Sequence, residues 1–209
     1  MLNDDYEREH FDDEADSYAE LDFNESPYYF DDSMLSDPDF SDLEIDEYGA
    51  TEPPELVLDV PFVPSEEAVI NIMLNMAEIT GKDFLVDLGC GDGRIVVNAA
   101  LTRSARGLGV DLDPARIADA MELAASSYVE HLVDFVECDL RDADISQATV
   151  VTLYLLDHMN MEIKPKLLSQ LAPGTRIVSN AFSMGDWEPV KHARHGHSNI
   201  FMWIVPPRS

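Results

Sequence analysis

Basic residues are scarce in this sequence of 209 residues: 13 Lys and Arg stand against 42 Asp and Glu. A net charge of −29 argues against direct binding of nucleic acid or an anionic membrane, since phosphate contacts need clustered Lys and Arg. A basic protein is the better partner. Cysteine is scarce too. Cys90 and Cys138 sit at the ends of predicted strands without metal-type spacing, which excludes a disulfide framework and points to a reducing compartment. No apolar run approaches the length of a membrane span, and the N-terminus is acidic where a signal peptide would be basic. A soluble, cytoplasmic and monomeric chain is the expectation.

The acidity is unevenly spread. Residues 1–55 hold 21 acids and one base, Arg8, a net of −20, which leaves −9 for residues 56–209. High charge with apolar residues in no helical or strand period marks residues 1–52 as a disordered acidic tail. That tail nevertheless carries nine of the 18 aromatics, among them Tyr28, Tyr29 and Phe30. Interleaved acids and aromatics suit a segment that orders on a basic, partly apolar surface; a purely solvated tail fits the composition equally. Residues 53–64 read as a proline-rich connector (Pro53, Pro54, Pro61, Pro64), and residues 65–209 as one domain.

The rest is organised around Phe84 to Arg94, FLVDLGCGDGR. An apolar, β-prone run ends at Asp87 and at glycines 89, 91 and 93, which reads as a buried strand leaving its sheet through a tight turn. Ile95, Val96 and Ala99 then recur at helical spacing, so a helix begins near Asp92. Glycine allows backbone angles closed to other residues and lets a ligand press against the chain. A dinucleotide fingerprint needs glycine at the sixth position of such a loop, where this chain has Arg94, and it holds a pyrophosphate. A nicotinamide oxidoreductase is therefore disfavoured.

Before this strand, Ser65 reads as a helix cap followed by Glu66 and Glu67, with Val69, Ile72, Met73 and Met76 on one face and an end near Gly81. After it, GLGVDL (107–112) reads as a second strand ending at Asp111, placed where an acid can accept two hydrogen bonds from a ribose diol. Asp113 and Pro114 read as cap and first residue of the next helix, which leaves Asp111 without a local duty. VDFVECD (133–139) is a third strand, whose Asp139 serves either a ligand or the turn 141–146. ATVVTLYLL (148–156) is a fourth, buried on both faces. Residues 164–171 read as a short helix with Pro165 near its start, and TRIVSNAF (175–182) as a fifth strand. The remainder supplies two strands, about 188–194 and 198–205, joined at Gly196. Alternating strands and helices with a closing hairpin give an α/β, doubly wound sheet.

These matched segments together resemble a class I S-adenosylmethionine-dependent methyltransferase. The stretches VPFVPS, DLGCGDGRIV, TVVTLYLL and TRIVSNAF are most similar to the branch holding the non-SET histone lysine and mitochondrial ATP synthase subunit lysine methyltransferases and their small bacterial relatives. The resemblance implies a Rossmann-like sheet of seven strands, the last antiparallel, with S-adenosylmethionine as cofactor. It implies Asp87, Gly89 and Gly91 at the methionine end, Asp111 at the ribose, and Asp139 and Leu140 at the adenine, with Cys90 and Leu112 beside them. An Asn-Pro-Pro-aromatic turn follows the fourth strand in many amine methyltransferases; Tyr154, Leu155 and Leu156 stand there instead, which leaves lysine, on a protein or a small amine, open.

Methyl transfer asks for orientation, desolvation and a deprotonated acceptor rather than a nucleophile or metal on the protein. Tyr154, Phe182 and Trp187 are the candidates to surround a cation with aromatic faces, core packing being the competing role of each. Asp157 and His158 form either a proton acceptor or a solvated loop. His192, His195 and His197 lie around a hairpin turn with no accompanying Cys or carboxylate motif, so no metal is expected. A non-catalytic protein that grips a basic partner through its tail is the alternative from another class.

Overall fold

The computed structural model describes residues 63–208. The acidic tail (1–52) and most of the proline-rich connector lie outside the described residues. Four helices and seven strands follow in order: α1 (Glu67–Met76), β1 (Phe84–Leu88), α2 (Arg94–Arg103), β2 (Arg106–Asp111), α3 (Pro114–Ser126), β3 (Val133–Glu137), β4 (Val150–Leu153), α4 (Asp157–Gln170), β5 (Arg176–Asn180), β6 (Lys191–His195) and β7 (Ser198–Ile204).

The strands form one sheet in the order β3-β2-β1-β4-β5-β7-β6. All pairs from β3 to β5 are parallel, and β7 runs antiparallel to both of its neighbours. The expected doubly wound sheet with an antiparallel last strand is thus what the chain forms. Its strand ends diverge between β1 and β4, where the order reverses, and a crevice opens there at the carboxyl edge.

Side chains of β1 alternate between two cores. Leu85 joins Val69, Met73 and Val96 of α1 and α2, while Val86 and Leu88 join Met159, Ile163 and Leu167 of α4. Burial on both faces explains why β1 and β4 read as continuous apolar runs rather than alternating ones. Trp203 of β7 is fully buried on the α4 side.

Three boundaries differ from the sequence reading in instructive ways. Ser65 does not cap α1. The N-cap is Glu66, without a side-chain bond, and Ser65 is buried with its carbonyl accepting from Arg94 Nη1 at 3.1 Å. α1 also stops at Met76, because Ala77 caps it and Glu78 takes a φ of +53°. α4 is the larger departure: it starts at Asp157, eight residues before Pro165, and contains that proline. A proline inside a helix costs about 3 kcal/mol through its lost N–H and ring clash. Here the ring is exposed, and burial of Met159, Ile163 and Leu167 at helical spacing offsets the cost. Asp157 and His158 therefore belong to the first turn of a helix, both exposed, and not to a loop.

Candidate active site

The glycine loop takes its shape from three left-handed residues in a row of five: Gly89 (φ +76°), Gly91 (+53°) and Gly93 (+77°). A Cβ on Gly89 would come within 2.8 Å of Leu155, and one on Gly93 within 2.7 Å of Ala120 and Phe135. Backbone strain and lack of space thus both require glycine at these two positions. Gly93 leads directly into α2 as its N-cap.

Asp111 at the end of β2 pins the loop. Its Oδ2 accepts from Gly91 N at 2.8 Å, and its Oδ1 accepts from Asp113 N at 3.0 Å. The expectation that Asp111 has no local duty is therefore corrected: it holds the loop and the start of α3 together, because its carboxylate lies between the two turns. Each oxygen keeps a further lone pair. Asp113 caps α3, accepting from Ala115 N at 2.8 Å, as read from its Pro114 neighbour.

Asp87 is 2% exposed and faces Thr152, its register partner on β4. Thr152 Oγ1 donates to Asp87 Oδ1 at 2.7 Å. Burial, opposed by that bond and helped by the charges of Asp111 and Asp92, raises the Asp87 carboxyl to about 7. Such a group wants a cation or further donors beside it.

These groups converge on one cavity. It is lined by Asp87, Gly89 and Cys90 after β1, Asp111 and Leu112 after β2, Asp139 and Leu140 after β3, and Tyr154 after β4. Of the sequence-derived cofactor residues only Gly91 is not in the lining, and it acts through Asp111. Asp139 lines the cavity and fulfils the turn role, since it accepts from Arg141 N at 2.8 Å and its carbonyl receives the amides of Asp142 and Ala143. Cys90 is a buried thiol pushed upward by desolvation and the neighbouring carboxylates, so it is a packing group rather than a nucleophile.

Of the aromatic candidates the structure brings Tyr154 to the cavity and neither Phe182 nor Trp187. Tyr154 is half-buried, and its phenol is pushed up by desolvation first and by the charge of Glu66 second. Trp187 packs on Trp203 with ring centroids 6.1 Å apart and accepts the Trp203 Nε1 hydrogen through its carbonyl at 2.6 Å. Phe182 offers its carbonyl to the buried Asn160 Nδ2 at 3.3 Å.

The sequence reading missed the clamp formed by Asp92 and Arg94. Arg94 Nε lies 2.9 and 3.1 Å from the two Asp92 oxygens, and Nη2 2.6 Å from Oδ2. With its remaining arm on Ser65, Arg94 ties the segment before α1 to the glycine loop, and Val63, Pro64 and Ser65 become cavity wall. An i,i+2 acid and base beside three glycines was the available signal. Among the described residues no group of His, Cys, Asp and Glu could hold a metal ion, and no helix is long and apolar enough to cross a membrane.

Comparison with known proteins agrees with this geometry. Residues 87–191 match the family described as ANTKMT methyltransferase domain. A protein-lysine N-methyltransferase of Saccharolobus islandicus is 37% identical, over 70% of this chain and 94% of its own length. The adenine nucleotide translocase lysine N-methyltransferase of Mus musculus is 30% identical, over 72% of this chain and 65% of its own, so the chain spans less than two thirds of that relative. A crystal structure of an RNA methyltransferase from Salinibacter ruber in complex with S-adenosyl-L-homocysteine is 44% identical, with a TM-score of 0.69 over 70% of this chain and 96% of that one.

S-adenosylmethionine fits the lining. Asp87, buried with one protein donor, suits the cationic amine of the methionine moiety, and the lone pairs left on Asp111 suit a diol. The three arginines of the wall are already committed, Arg94 to Asp92, Arg116 to Asp113 and Asp119, and Arg141 to Asp139 and Glu162, as befits a ligand without phosphates.

Proposed function

We propose, from the premise that the chain belongs to the ANTKMT methyltransferase domain family and is an S-adenosylmethionine-dependent methyltransferase, that its acceptor is a lysine ε-amine on a basic protein. One observation carries this reading. Where the cavity wall leaves β4, it offers Tyr154, an aromatic whose ring face attracts an ammonium, while the exposed carboxylate of Glu66, outside the lining, acts on the same phenol by charge.

Asp87 and Asp111 would hold the donor, against the glycine loop that lines the same cavity. When bound, S-adenosylmethionine supplies a methyl group on a sulfonium, an electrophile needing no further activation. The lysine ammonium first gives a proton to water; burial keeps the Tyr154 phenol protonated, so its oxygen would then accept one N–H of the neutral amine and leave the nitrogen lone pair free for attack. The two free thiols, Cys90 and Cys138, support a reducing, cytoplasmic compartment. The net −20 of residues 1–55 supports recruitment of a basic substrate by charge, and deletion of residues 1–50 is expected to weaken its binding at low salt.

The name of the Salinibacter structure favours a second reading, methylation of RNA. The charge of −9 over residues 56–209, with the cavity arginines already paired, speaks against it. The test is transfer from isotope-labelled donor by the full chain to a mixed protein extract and, separately, to total RNA, with mass spectrometry to locate the label. Label on lysine, diminished in Tyr154→Phe with donor affinity kept, supports the proposal. Label on RNA alone overturns it.

A further inference from the structure

The hairpin that closes the sheet turns at the same edge as the cavity. β5 runs parallel to β1 and β4, and Asn180 at its end pairs with Ile200 of β7. His195 pairs with Ser198, so Gly196 and His197 lie beyond the carboxyl end of β5. The exposed residues there are Arg194, His195 and His197.

This turn differs in charge from the rest of that edge. Arg94 is bound to Asp92, Arg116 to Asp113 and Asp119, Arg141 to Asp139 and Glu162, and Lys164 to Asp186. Arg194 has no carboxylate of the described residues at ion-pair distance; its Nε donates to Gly196 O at 3.2 Å, which holds the exposed guanidinium to the turn. Beside it His192 stacks on Phe201, centroids 4.7 Å apart and 8° from parallel, and shares Asn199 Oδ1 at 3.2 Å. Arg194 and Asn199 are register partners, so these side chains share a face.

We infer that the β6-β7 turn, through Arg194, selects an acidic residue on the polypeptide substrate at a set distance from the acceptor lysine. The inference rests on the lysine reading above. The sheet order sets the distance. Three strand spacings separate β4, where Tyr154 meets the acceptor, from β6, and at about 4.8 Å each they amount to about 14 Å. An extended peptide advances about 3.3 Å per residue, so the acid falls about four or five residues from the lysine. Net basic charge and this local acid are compatible: the first acts over a Debye length, the second by contact.

Charge on an edge strand also guards against strand pairing between molecules. Reversal of the charge separates the two roles, since Arg194→Glu guards the edge as well as arginine does but inverts the selection. The measurement is transfer by the full chain to peptides of one length, each with a single central lysine, carrying glutamate, glutamine or arginine pairs four and five residues away on either side. Glutamate pairs one and two residues away are the control for position. Glutamates at four and five are expected to lower KM about fivefold against glutamines at low salt, with kcat unchanged. Arg194→Glu is expected to remove that preference and favour the arginine pair. Equal KM for all peptides, or a preference that survives Arg194→Glu, overturns the selection while leaving lysine methylation standing. Transfer to RNA and to no peptide overturns both.

Discussion

Strands β1, β2 and β3 lead into glycine and acid, whereas β4 and β5 end in an aromatic and in buried amides. On the first side Asp87, Asp111 and Asp139 surround backbone turns whose shapes depend on glycine. On the second, Tyr154 meets the cavity while Asn160 and Asn180 are sunk beneath the surface and Ala181 takes a φ of +67°. The donor is one molecule, so its side is built from groups held within a few residues of one another. The acceptor side is built from side chains that α4 and the closing hairpin bring together over long separations.

The comparison breaks most visibly at Asp111. Asp111→Ala removes the acceptor of both Gly91 N and Asp113 N, and is expected to weaken donor binding by about 100-fold, near 3 kcal/mol for two charge-assisted bonds. Trp187→Ala, on the acceptor side and engaged with Trp203, is expected to leave donor affinity within about threefold while lowering stability by about 2 kcal/mol. Calorimetric titration of both variants with S-adenosylmethionine, alongside thermal unfolding, checks the contrast.

Two glycines sharpen it further. Gly93→Ala adds a methyl against Ala120 and Phe135 in a left-handed residue, and about 2–3 kcal/mol of stability is expected to be lost. Gly196 is left-handed too, at +55°, but a Cβ there meets nothing within 4 Å. Its alanine variant is expected to cost only about 1 kcal/mol, the backbone part alone. Denaturant titrations of the pair separate strain from crowding.

The smallest expected effect concerns protons. The Asp87 carboxyl is raised to about 7 in the fold, so between its ordinary value and 7 the folded state binds the extra proton. Stability of the donor-free protein therefore falls as pH rises through 7, by about 1.4 kcal/mol from pH 6 to pH 8 for a single group. Asp87→Asn is expected to flatten that slope, and donor affinity of the native protein is expected to rise over the same interval as the carboxylate forms. Unfolding and titration at three pH values test both signs.

Much of the donor side was legible because local covalent constraints announce it. Glycines 89, 91 and 93 admit the angles the loop needs, and an acid after an apolar strand has few other reasons to be there. Even so, the sequence points to Asp111 only as a ribose acceptor without a local duty when it holds two amides, since hydrogen bonds to turns 20 and two residues away leave no mark in composition. Arg94 was legible only as the residue that broke a dinucleotide pattern; its fork on Asp92 and its reach to Ser65 depend on α1 arriving beside the loop. On the acceptor side Pro165 misled, because a proline reads as a helix start and only the packing of Met159 and Ile163 carries α4 back to Asp157.

From its sequence alone this chain determined an α/β sheet, its strand order of acids, the glycine loop and hence the class of cofactor, since those follow from backbone conformation and short-range periodicity. Only the tertiary structure decided that Tyr154 and not Phe182 or Trp187 walls the cavity, that Asp87 is buried against Thr152, and that Arg194 lies exposed and without a carboxylate partner among the described residues in the closing hairpin. Each of those depends on which strands lie side by side, and strand adjacency is set by the burial of two cores across the whole domain rather than by any one stretch of chain.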